Sequence, residues 1–135
     1  MIKAVTIILV IGAAVGAQQI KKVPIHSTSA ASGRETFAAY CAVWHGTAGK
    51  GDGPVASALK KRPADLTRLS RNNGGTFPEG RVMGYITGEE TVVAHGNREM
   101  PIWGELFRSL DPNSRELSDL RVHNLAEYVK ALQAK

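Results

Sequence analysis

The chain has 135 residues, of which 43% are apolar and 21% are charged, and its formal net charge is +5. This length and composition are typical of one soluble globular domain with a modest core. The basic residues are dispersed apart from 60–62, and no aromatic ladder accompanies them, so nucleic-acid binding is not expected.

The first segment, residues 1–17, has the pattern of a secretory signal peptide. Met1-Ile2-Lys3 is a short positive start, an uncharged apolar run follows, and Val15-Gly16-Ala17 supplies the small residues that precede a cleavage site. The apolar run is shorter than the roughly 20 residues that a spanning helix needs. We therefore expect an exported, periplasmic protein with no membrane span after signal cleavage. An uncleaved membrane anchor is the alternative.

Residues 18–31 are polar, lack periodicity and are predicted to be a flexible leader, so the folded domain is predicted over 32–135. Ser32 lies three residues before Glu35, which is the spacing of a capping box and predicts a helix start. The first helix is predicted to run for about three turns, because large side chains recur at helical intervals: Phe37, Tyr40, Cys41 and Trp44. The glycine-rich run 49–54 follows this helix and opens a long loop.

Turn-forming residues divide the middle of the chain into short elements. The run 72–75, Asn-Asn-Gly-Gly, is a strong helix breaker. Pro78 predicts the first turn of a short helix that Gly88 ends. Another short helix is predicted over 91–95, and residues 96–104 are predicted to be a loop.

The last helix is the clearest predicted element and lies between Ser118 and Gln133. Its apolar residues are predicted to share one face: Leu117, Leu120, Leu125, Tyr128, Val129 and Leu132. No alternating strand pattern of useful length and no internal repeat occur. The sequence therefore predicts an all-α domain whose terminal helices embrace a loop-rich centre.

The end of the first helix carries a variant of a haem-attachment motif. In the motif Cys-x-x-Cys-His, two thiols bond to the vinyl groups of haem and the histidine binds its iron. Cys41 and His45 match the first cysteine and the histidine, whereas Trp44 takes the place of the second cysteine. Cys41 is the only cysteine, so it forms no internal disulfide. Its thiol is unpaired, bridged between chains or committed to another bond.

Residues 32–132 resemble the class I cytochromes c of bacteria, with matching segments in the family's order. Residues 37–46 resemble the attachment helix, 49–54 and 63–67 the loops that follow it, 95–96 and 100–104 the distal-ligand segment, and 125–132 the C-terminal helix. The resemblance implies the class I cytochrome c fold, in which terminal helices pack together and short helices and long loops surround one haem.

The resemblance also implies a role for each matching residue. His45 would bind the iron through Nε2, while the carbonyl of Pro54 would accept a hydrogen bond from Nδ1 and fix the ring. Met100 would be the sixth ligand, and Cys41 would form a thioether with one vinyl group. Trp103 would contact the haem edge or a propionate.

Trp44 is where the chain departs from the family, and two consequences stay open. The indole either packs flat against the unmodified vinyl group or enters the pocket and excludes haem.

Elsewhere the resemblance implies that Gly33, Phe37 and Tyr128 pack the terminal helices together.

Two residues compete with Met100 for the role of sixth ligand. Met83 lies in a predicted helix, where packing is the expected role, because methionine is a common filler of apolar cores. His95 is expected to be an ordinary loop histidine.

Together these features predict a periplasmic c-type cytochrome that carries single electrons. One haem c, ligated by His45 and Met100, would be attached by one thioether from Cys41. The protein would exchange electrons with redox protein partners and would not be an enzyme, although it would also suit the haem subunit of a larger oxidoreductase. The alternative is a haem-free interaction module with the same fold, and a weaker one is peroxidase-type catalysis at the iron after Met100 dissociates.

Overall fold

The computed structural model describes residues 25–90 and 100–134, and this part of the chain contains helices and no strand. The elements in chain order are α1 Gly33–Tyr40, α2 Ala42–His45, a 3-10 turn Ala56–Ala58, a 3-10 turn Leu66–Arg68, α3 Leu69–Asn72, α4 Glu79–Thr87, α5 Gly104–Leu110 and α6 Arg115–Ala131. The prediction of an all-α domain is confirmed for these residues. The predicted signal 1–17 and the predicted helix 91–95 lie outside them. None of the described helices has both the length and the apolar character needed to cross a membrane.

Helix α1 begins where the capping box predicts it. The Ser32 hydroxyl accepts a hydrogen bond from the Glu35 amide at 3.2 Å and so satisfies one of the free amides of the first turn. The predicted three-turn helix is interrupted at Cys41, which ends α1 and immediately precedes α2. Gly46, with a φ of 78°, then ends α2, because this left-handed conformation costs a glycine little.

Helices α1 and α6 cross at very close range, as the resemblance implies. A Cβ atom added at Gly33 would lie 1.9 Å from the carbonyl oxygen of Asn124, so only glycine permits this approach. Farther along the crossing, the rings of Phe37 and Tyr128 lie 5.2 Å apart. The predicted packing of Gly33, Phe37 and Tyr128 between the terminal helices is confirmed.

The core lies between α6 and the shorter helices, but its face on α6 differs from the predicted one. The buried residues of α6 are Ser118, Arg121, Val122, Leu125, Ala126 and Val129. Leu117 and Leu120 are each 42% exposed, whereas Leu125 and Val129 are buried, so the prediction of one common apolar face is wrong for these two leucines. The buried face instead includes Arg121, a charged residue that is only 2% exposed.

Arg121 is held in the core by three polar partners. Its Nη2 lies 2.7 Å from Oδ2 of Asp111, and Nη1 donates to both the carbonyl and the hydroxyl of Thr28 at 2.6 Å. The guanidinium also lies 6.0 Å from the ring centre of Phe107. A buried charge with this many partners costs far less than an unpaired one, which explains why an arginine is tolerated here.

Residues 25–31, which we call the N-terminal strap, pack against both terminal helices. Asn124 donates to the carbonyl of Ala30 at 2.9 Å, and the Tyr40 hydroxyl donates to the carbonyl of His26. Thr28 is buried. The flexible leader predicted over 18–31 thus overlaps the strap at residues 25–31, where these hydrogen bonds join the chain to α1 and α6. The strap is held mainly through its main-chain carbonyls, which leave no side-chain pattern in the sequence.

The middle helices follow the predicted boundaries more closely than the segment after them. Pro78 directly precedes α4, and Gly88, with a φ of 84°, ends it. Helix α5, in contrast, was not predicted. No side chain caps its start at Trp103, so the usual signal of a helix N-terminus is missing from the sequence.

Candidate functional site

A cavity of about 480 Å³ lies between the α1–α2 segment, α4, α6 and the segment that leads into α5. Five of the six predicted site residues line it: Cys41, Trp44, His45, Met100 and Trp103. Its buried end is apolar and includes Phe37, Ile86 and Leu125, which are at most 5% exposed. The volume falls within the range of ordinary small-molecule and cofactor sites.

His45 is the buried polar group at this site and is only 8% exposed. Its Nδ1 lies 2.9 Å from the carbonyl oxygen of Ala64, which only accepts hydrogen bonds, so Nδ1 carries the proton and Nε2 keeps its lone pair. Burial lowers the pKa of the imidazole, and the hydrogen bond to Ala64 opposes this shift in part. The ring is therefore neutral near pH 7 and suited to binding a metal through Nε2.

The carbonyl beside Nδ1 of His45 was predicted to be that of Pro54, but it belongs to Ala64. Pro54 is exposed and does not line the cavity. The neighbouring Gly53 bonds instead to the backbone of α2, with its amide donating to the carbonyl of Trp44 at 3.1 Å. The loop that contains Ala64 supplies the carbonyl to the imidazole.

The Ala64 loop reaches His45 because two loops are joined through their backbones. The Leu66 amide donates to the Gly49 carbonyl at 2.7 Å, and the Gly51 amide donates to the His45 carbonyl at 2.8 Å. Gly51 has a φ of 75°, and a Cβ atom there would lie 2.3 Å from the carbonyl oxygen of Pro63. The predicted glycine-rich loop thus allows the close approach that orients the imidazole.

Cys41 lines the same cavity and is 7% exposed. Burial raises the pKa of its thiol to about 12, so the protonated form predominates at neutral pH. Because α1 ends at Cys41 and α2 ends at His45, one interrupted helical segment brings both side chains to the cavity wall.

We expect slow modification of Cys41 by iodoacetamide in the folded, haem-free protein. Burial blocks access to the sulfur and keeps the thiolate scarce. At about pH 8, mass spectrometry should show labelling at least ~100-fold slower in buffer than in denaturant, where the pKa returns to about 8.5. Equal rates in the two solutions would contradict the buried position.

The same pKa shift is expected to lower the stability of the haem-free protein as the pH rises. Below about pH 8.5 the thiol is protonated in both the folded and the unfolded chain. Above that pH the unfolded chain releases the proton while the folded chain keeps it, so the free energy of unfolding falls by up to about 1.4 kcal/mol per pH unit. Urea denaturation at about pH 8 and pH 10 measures this fall. The Cys41→Ser variant should show less of it.

Trp44 forms part of the cavity wall and is half-buried. The cavity keeps about 480 Å³ with the indole in this position. The side chain therefore borders the cavity without filling it.

Met100 and Trp103 approach the cavity from the segment before α5. Met100 is 37% exposed and lies at the mouth, whereas Trp103 is half-buried and its amide donates to the carbonyl of Ile86 at 3.0 Å. The Trp103 ring packs against the rings of Tyr40 and Phe107, with centroids 5.5 and 6.4 Å away. This packing fixes the end of the segment that carries Met100.

Of the two residues that compete with Met100 for the role of sixth ligand, the structure describes only Met83. Met83 packs against the hydrophobic core and does not line the cavity, in agreement with the packing role expected for it. His95 lies outside the described residues. His123, on α6, is 52% exposed and lies 3.7 Å from Glu79.

Sequence reasoning missed a polar border of the cavity, which we call the polar rim. Its members are Lys61, Arg62, Asn72, Asn73 and Arg81. The basic run 60–62 was the one signal in the sequence, but nothing in the spacing connected it with residues of α3 and α4. The fold brings these segments together around one opening.

The described residues suit a metal ion that is held mostly by the ligands of an organic cofactor. Within residues 25–90 and 100–134, no group of three His, Cys, Asp or Glu side chains is placed to hold a bare metal ion. His45 offers one oriented nitrogen, Met100 borders the same cavity with a thioether, and Cys41 adds a thiol. An imidazole and a thioether are the axial pair of cytochromes c, in which the porphyrin supplies the remaining ligands.

The chain matched no protein-family model, no curated protein and no solved structure.

Proposed function

We propose that the chain is a c-type cytochrome that carries single electrons. The observation that carries this proposal is the buried, neutral His45, oriented by the Ala64 carbonyl in an apolar cavity that Cys41 and Met100 also line. The crossing of α1 and α6 beside that cavity supports the finer proposal of a class I cytochrome c fold. When bound, the haem iron supplies one-electron chemistry by alternating between its ferrous and ferric states.

His45 would be the proximal ligand, and the hydrogen bond from its Nδ1 would hold the ring orientation and raise the basicity of Nε2. Met100, which lines the same cavity, would be the sixth ligand. Its thioether would favour the reduced metal and so raise the reduction potential. The apolar buried end of the cavity would exclude water, and the packed ring of Trp103 would hold the Met100 segment near the haem edge.

Cys41 would attach the porphyrin by one thioether. Its S–H would add across one vinyl double bond, so that the sulfur bonds to one carbon and the hydrogen to the other, and no oxidant is required. Trp44, on the same wall, would pack against the vinyl group that stays unmodified, and its apolar contact would offset part of the lost covalent bond.

In this proposal the protein makes and breaks no substrate bond and is not an enzyme. It would receive an electron from one redox protein and pass it to another after export to the periplasm, either as a free carrier or as the haem subunit of a larger oxidoreductase. The signal-peptide pattern of residues 1–17 supports export.

The direct test is haem staining after denaturing electrophoresis, with a pyridine haemochrome spectrum of the same sample. The full chain is produced in a periplasm that matures a Cys-x-x-Cys-His cytochrome in parallel. We expect covalently retained haem, with an absorption maximum to the red of the two-thioether control, because one vinyl group stays conjugated. The Cys41→Ser variant is expected to lose the stained band.

A folded chain without haem, under conditions that mature the control cytochrome, would overturn the proposal. The haem-free interaction module would then be the better explanation of the fold, and the search would turn to protein partners.

Replacing Trp44 by cysteine is expected to restore two-point attachment. Position 44 borders the same cavity as Cys41, so a thiol there would face the second vinyl group. The haemochrome maximum of Trp44→Cys should move to the blue and match the two-thioether control, and the haem yield should rise several-fold. Trp44→Ala serves as the matched control, because it removes the indole without adding a thiol. A maximum that moves equally in both variants would contradict the prediction.

A further inference from the structure

The N-terminal strap reaches the core through Thr28, whose side chain is buried. Its carbonyl and hydroxyl accept hydrogen bonds from Arg121 at 2.6 Å, and its hydroxyl also lies 3.2 Å from that of Thr36 on α1. The guanidinium of Arg121 in turn lies 6.0 Å from the ring centre of Phe107, which is buried in α5. One set of contacts therefore leads from the strap to the helix that follows Met100.

A second set of contacts passes through Tyr40, the last residue of α1. Its hydroxyl donates to the carbonyl of His26 in the strap, while its ring is buried and lines the cavity. Burial raises the pKa of this hydroxyl, and the charge of Arg121 opposes the shift in part. The group therefore stays protonated at neutral pH and acts as a donor. The Tyr40 ring lies 5.5 Å from that of Trp103 and 5.6 Å from that of Phe107, and we call these three rings the aromatic cluster.

The aromatic cluster holds the segment 100–103, which brings Met100 to the cavity. Trp103 ends this segment, and its amide donates to the carbonyl of Ile86 at 3.0 Å. The rings of Trp103 and Phe107 are stacked, with centroids 6.4 Å apart and an angle of 18° between their planes. Because packed side chains have little free space around them, a shift of the Tyr40 ring would displace Trp103 and the residues before it.

We propose that the N-terminal strap positions the segment 100–103 at the cavity, with Tyr40 as the positioning residue that connects the two. The hydrogen bond from Tyr40 to the strap fixes its ring, and this ring fixes Trp103. Release of the strap would therefore let the segment move away from the cavity. The inference rests on the proposed function only where Met100 is the sixth ligand, and there the docked strap would slow the loss of Met100 from the iron.

The test measures hydrogen–deuterium exchange of the Trp103 amide in the full chain by NMR spectroscopy. This amide exchanges when its hydrogen bond to Ile86 opens, so its rate reports the opening of the segment whether or not haem is bound. Tyr40→Phe keeps the ring and removes the hydroxyl, and Thr28→Val removes the strap hydroxyl that accepts from Arg121. Each variant should exchange at Trp103 about fivefold faster, because a hydrogen bond that keeps the segment closed is lost.

Tyr128→Phe and Ser27→Ala are the matched controls. Tyr128 is a half-buried tyrosine whose ring packs on Phe37, and it does not line the cavity. Ser27 is an exposed residue of the strap. Both variants should leave the exchange rate of the Trp103 amide unchanged.

Added imidazole tests the same coupling in the haem-loaded protein. Imidazole can take the sixth position only where Met100 has left it, so its apparent affinity for the ferric protein rises with the fraction of open molecules. Tyr40→Phe and Thr28→Val should each bind imidazole about fivefold more tightly than the wild type does. Tyr128→Phe should bind it like the wild type.

Unchanged exchange at Trp103 in either Tyr40→Phe or Thr28→Val would overturn the inference and leave the haem proposal standing. Equal acceleration in Tyr128→Phe or Ser27→Ala would also overturn it, because the effect would then be a general loss of stability. Faster exchange at Trp103 without a change in imidazole affinity, or in a chain that takes up no haem, would support the role of the strap. That outcome would instead contradict Met100 as the sixth ligand in the proposed function.

Discussion

Replacing Gly33 by alanine is expected to lower the free energy of unfolding by about 3 kcal/mol. The added Cβ would lie 1.9 Å from the carbonyl oxygen and 2.5 Å from the carbonyl carbon of Asn124, which are backbone atoms of α6. No rotation of a side chain relieves such a contact, so the two helices must separate. Urea denaturation followed by far-UV circular dichroism measures the loss.

Gly80→Ala is the matched control, because Gly80 also lies in a helix, α4, and a Cβ atom added there would have no neighbour within 4 Å. This change should leave stability unaltered or raise it by up to about 1 kcal/mol, since alanine favours the helix over glycine. If Gly33→Ala proved as harmless as Gly80→Ala, the close crossing of α1 and α6 would be wrong. Separation of the two helices would also displace Cys41, because this residue follows α1 directly and lines the cavity.

Replacing His45 by alanine is expected to abolish the six-coordinate haem spectrum and to weaken haem binding by more than about 100-fold. Loss of a group that merely orients a metal ligand costs about 10–100-fold, so loss of the ligand itself should cost more. His45 is the only described histidine that lines the cavity. Absorbance titration of the full-length, haem-free variant with haem gives the affinity and the ligation state together.

His123→Ala controls for the loss of an imidazole as such, because His123 is 52% exposed on α6. It should bind haem like the wild type. Adding free imidazole to His45→Ala should restore the six-coordinate spectrum, because the small ligand can occupy the space that the side chain vacates. A misfolded variant would not respond in this way. Unchanged haem binding by His45→Ala would show that His45 is not the ligand.

The parts of the fold that the sequence predicts are those with local signals. Ser32 caps α1 through its own side chain, and Gly88 ends α4 with a backbone conformation that favours glycine. Cys41 and His45 reach one cavity because Cys41 directly precedes the short helix α2 and His45 is its last residue. Each of these features depends on residues a few positions apart, and such spacings are visible in a sequence.

The parts that escaped prediction depend on the main chain or on distant contacts. The Ala64 carbonyl that orients His45 belongs to the backbone, so no residue type at position 64 marks it. The N-terminal strap is likewise held by its carbonyls. Helix α5 starts without a side-chain cap, at Gly104, where an added Cβ atom would lie 2.8 Å from the carbonyl oxygen of Thr87 at the end of α4.

The buried face of α6 escaped prediction for a different reason. Periodicity treats Arg121 as a solvent-facing residue and therefore selects a face that includes Leu117 and Leu120. In the folded chain the guanidinium is paired with the carboxylate of Asp111 and donates hydrogen bonds to the oxygens of Thr28, which lies 93 residues away. Its burial therefore depends on partners that no local pattern connects.

The docking of the N-terminal strap on Arg121 has a consequence for the order in which the chain is completed. During synthesis the strap leaves the ribosome before any other part of the described domain, whereas its partners on α6 are made last. At roughly 5–20 residues per second, several seconds separate the two. Long-range pairing of chain ends raises the contact order, so this helical domain should fold more slowly than a bundle of neighbouring helices. A chain that stops before α6 would leave the carbonyls of Thr28 and Ala30 without the donors that α6 supplies.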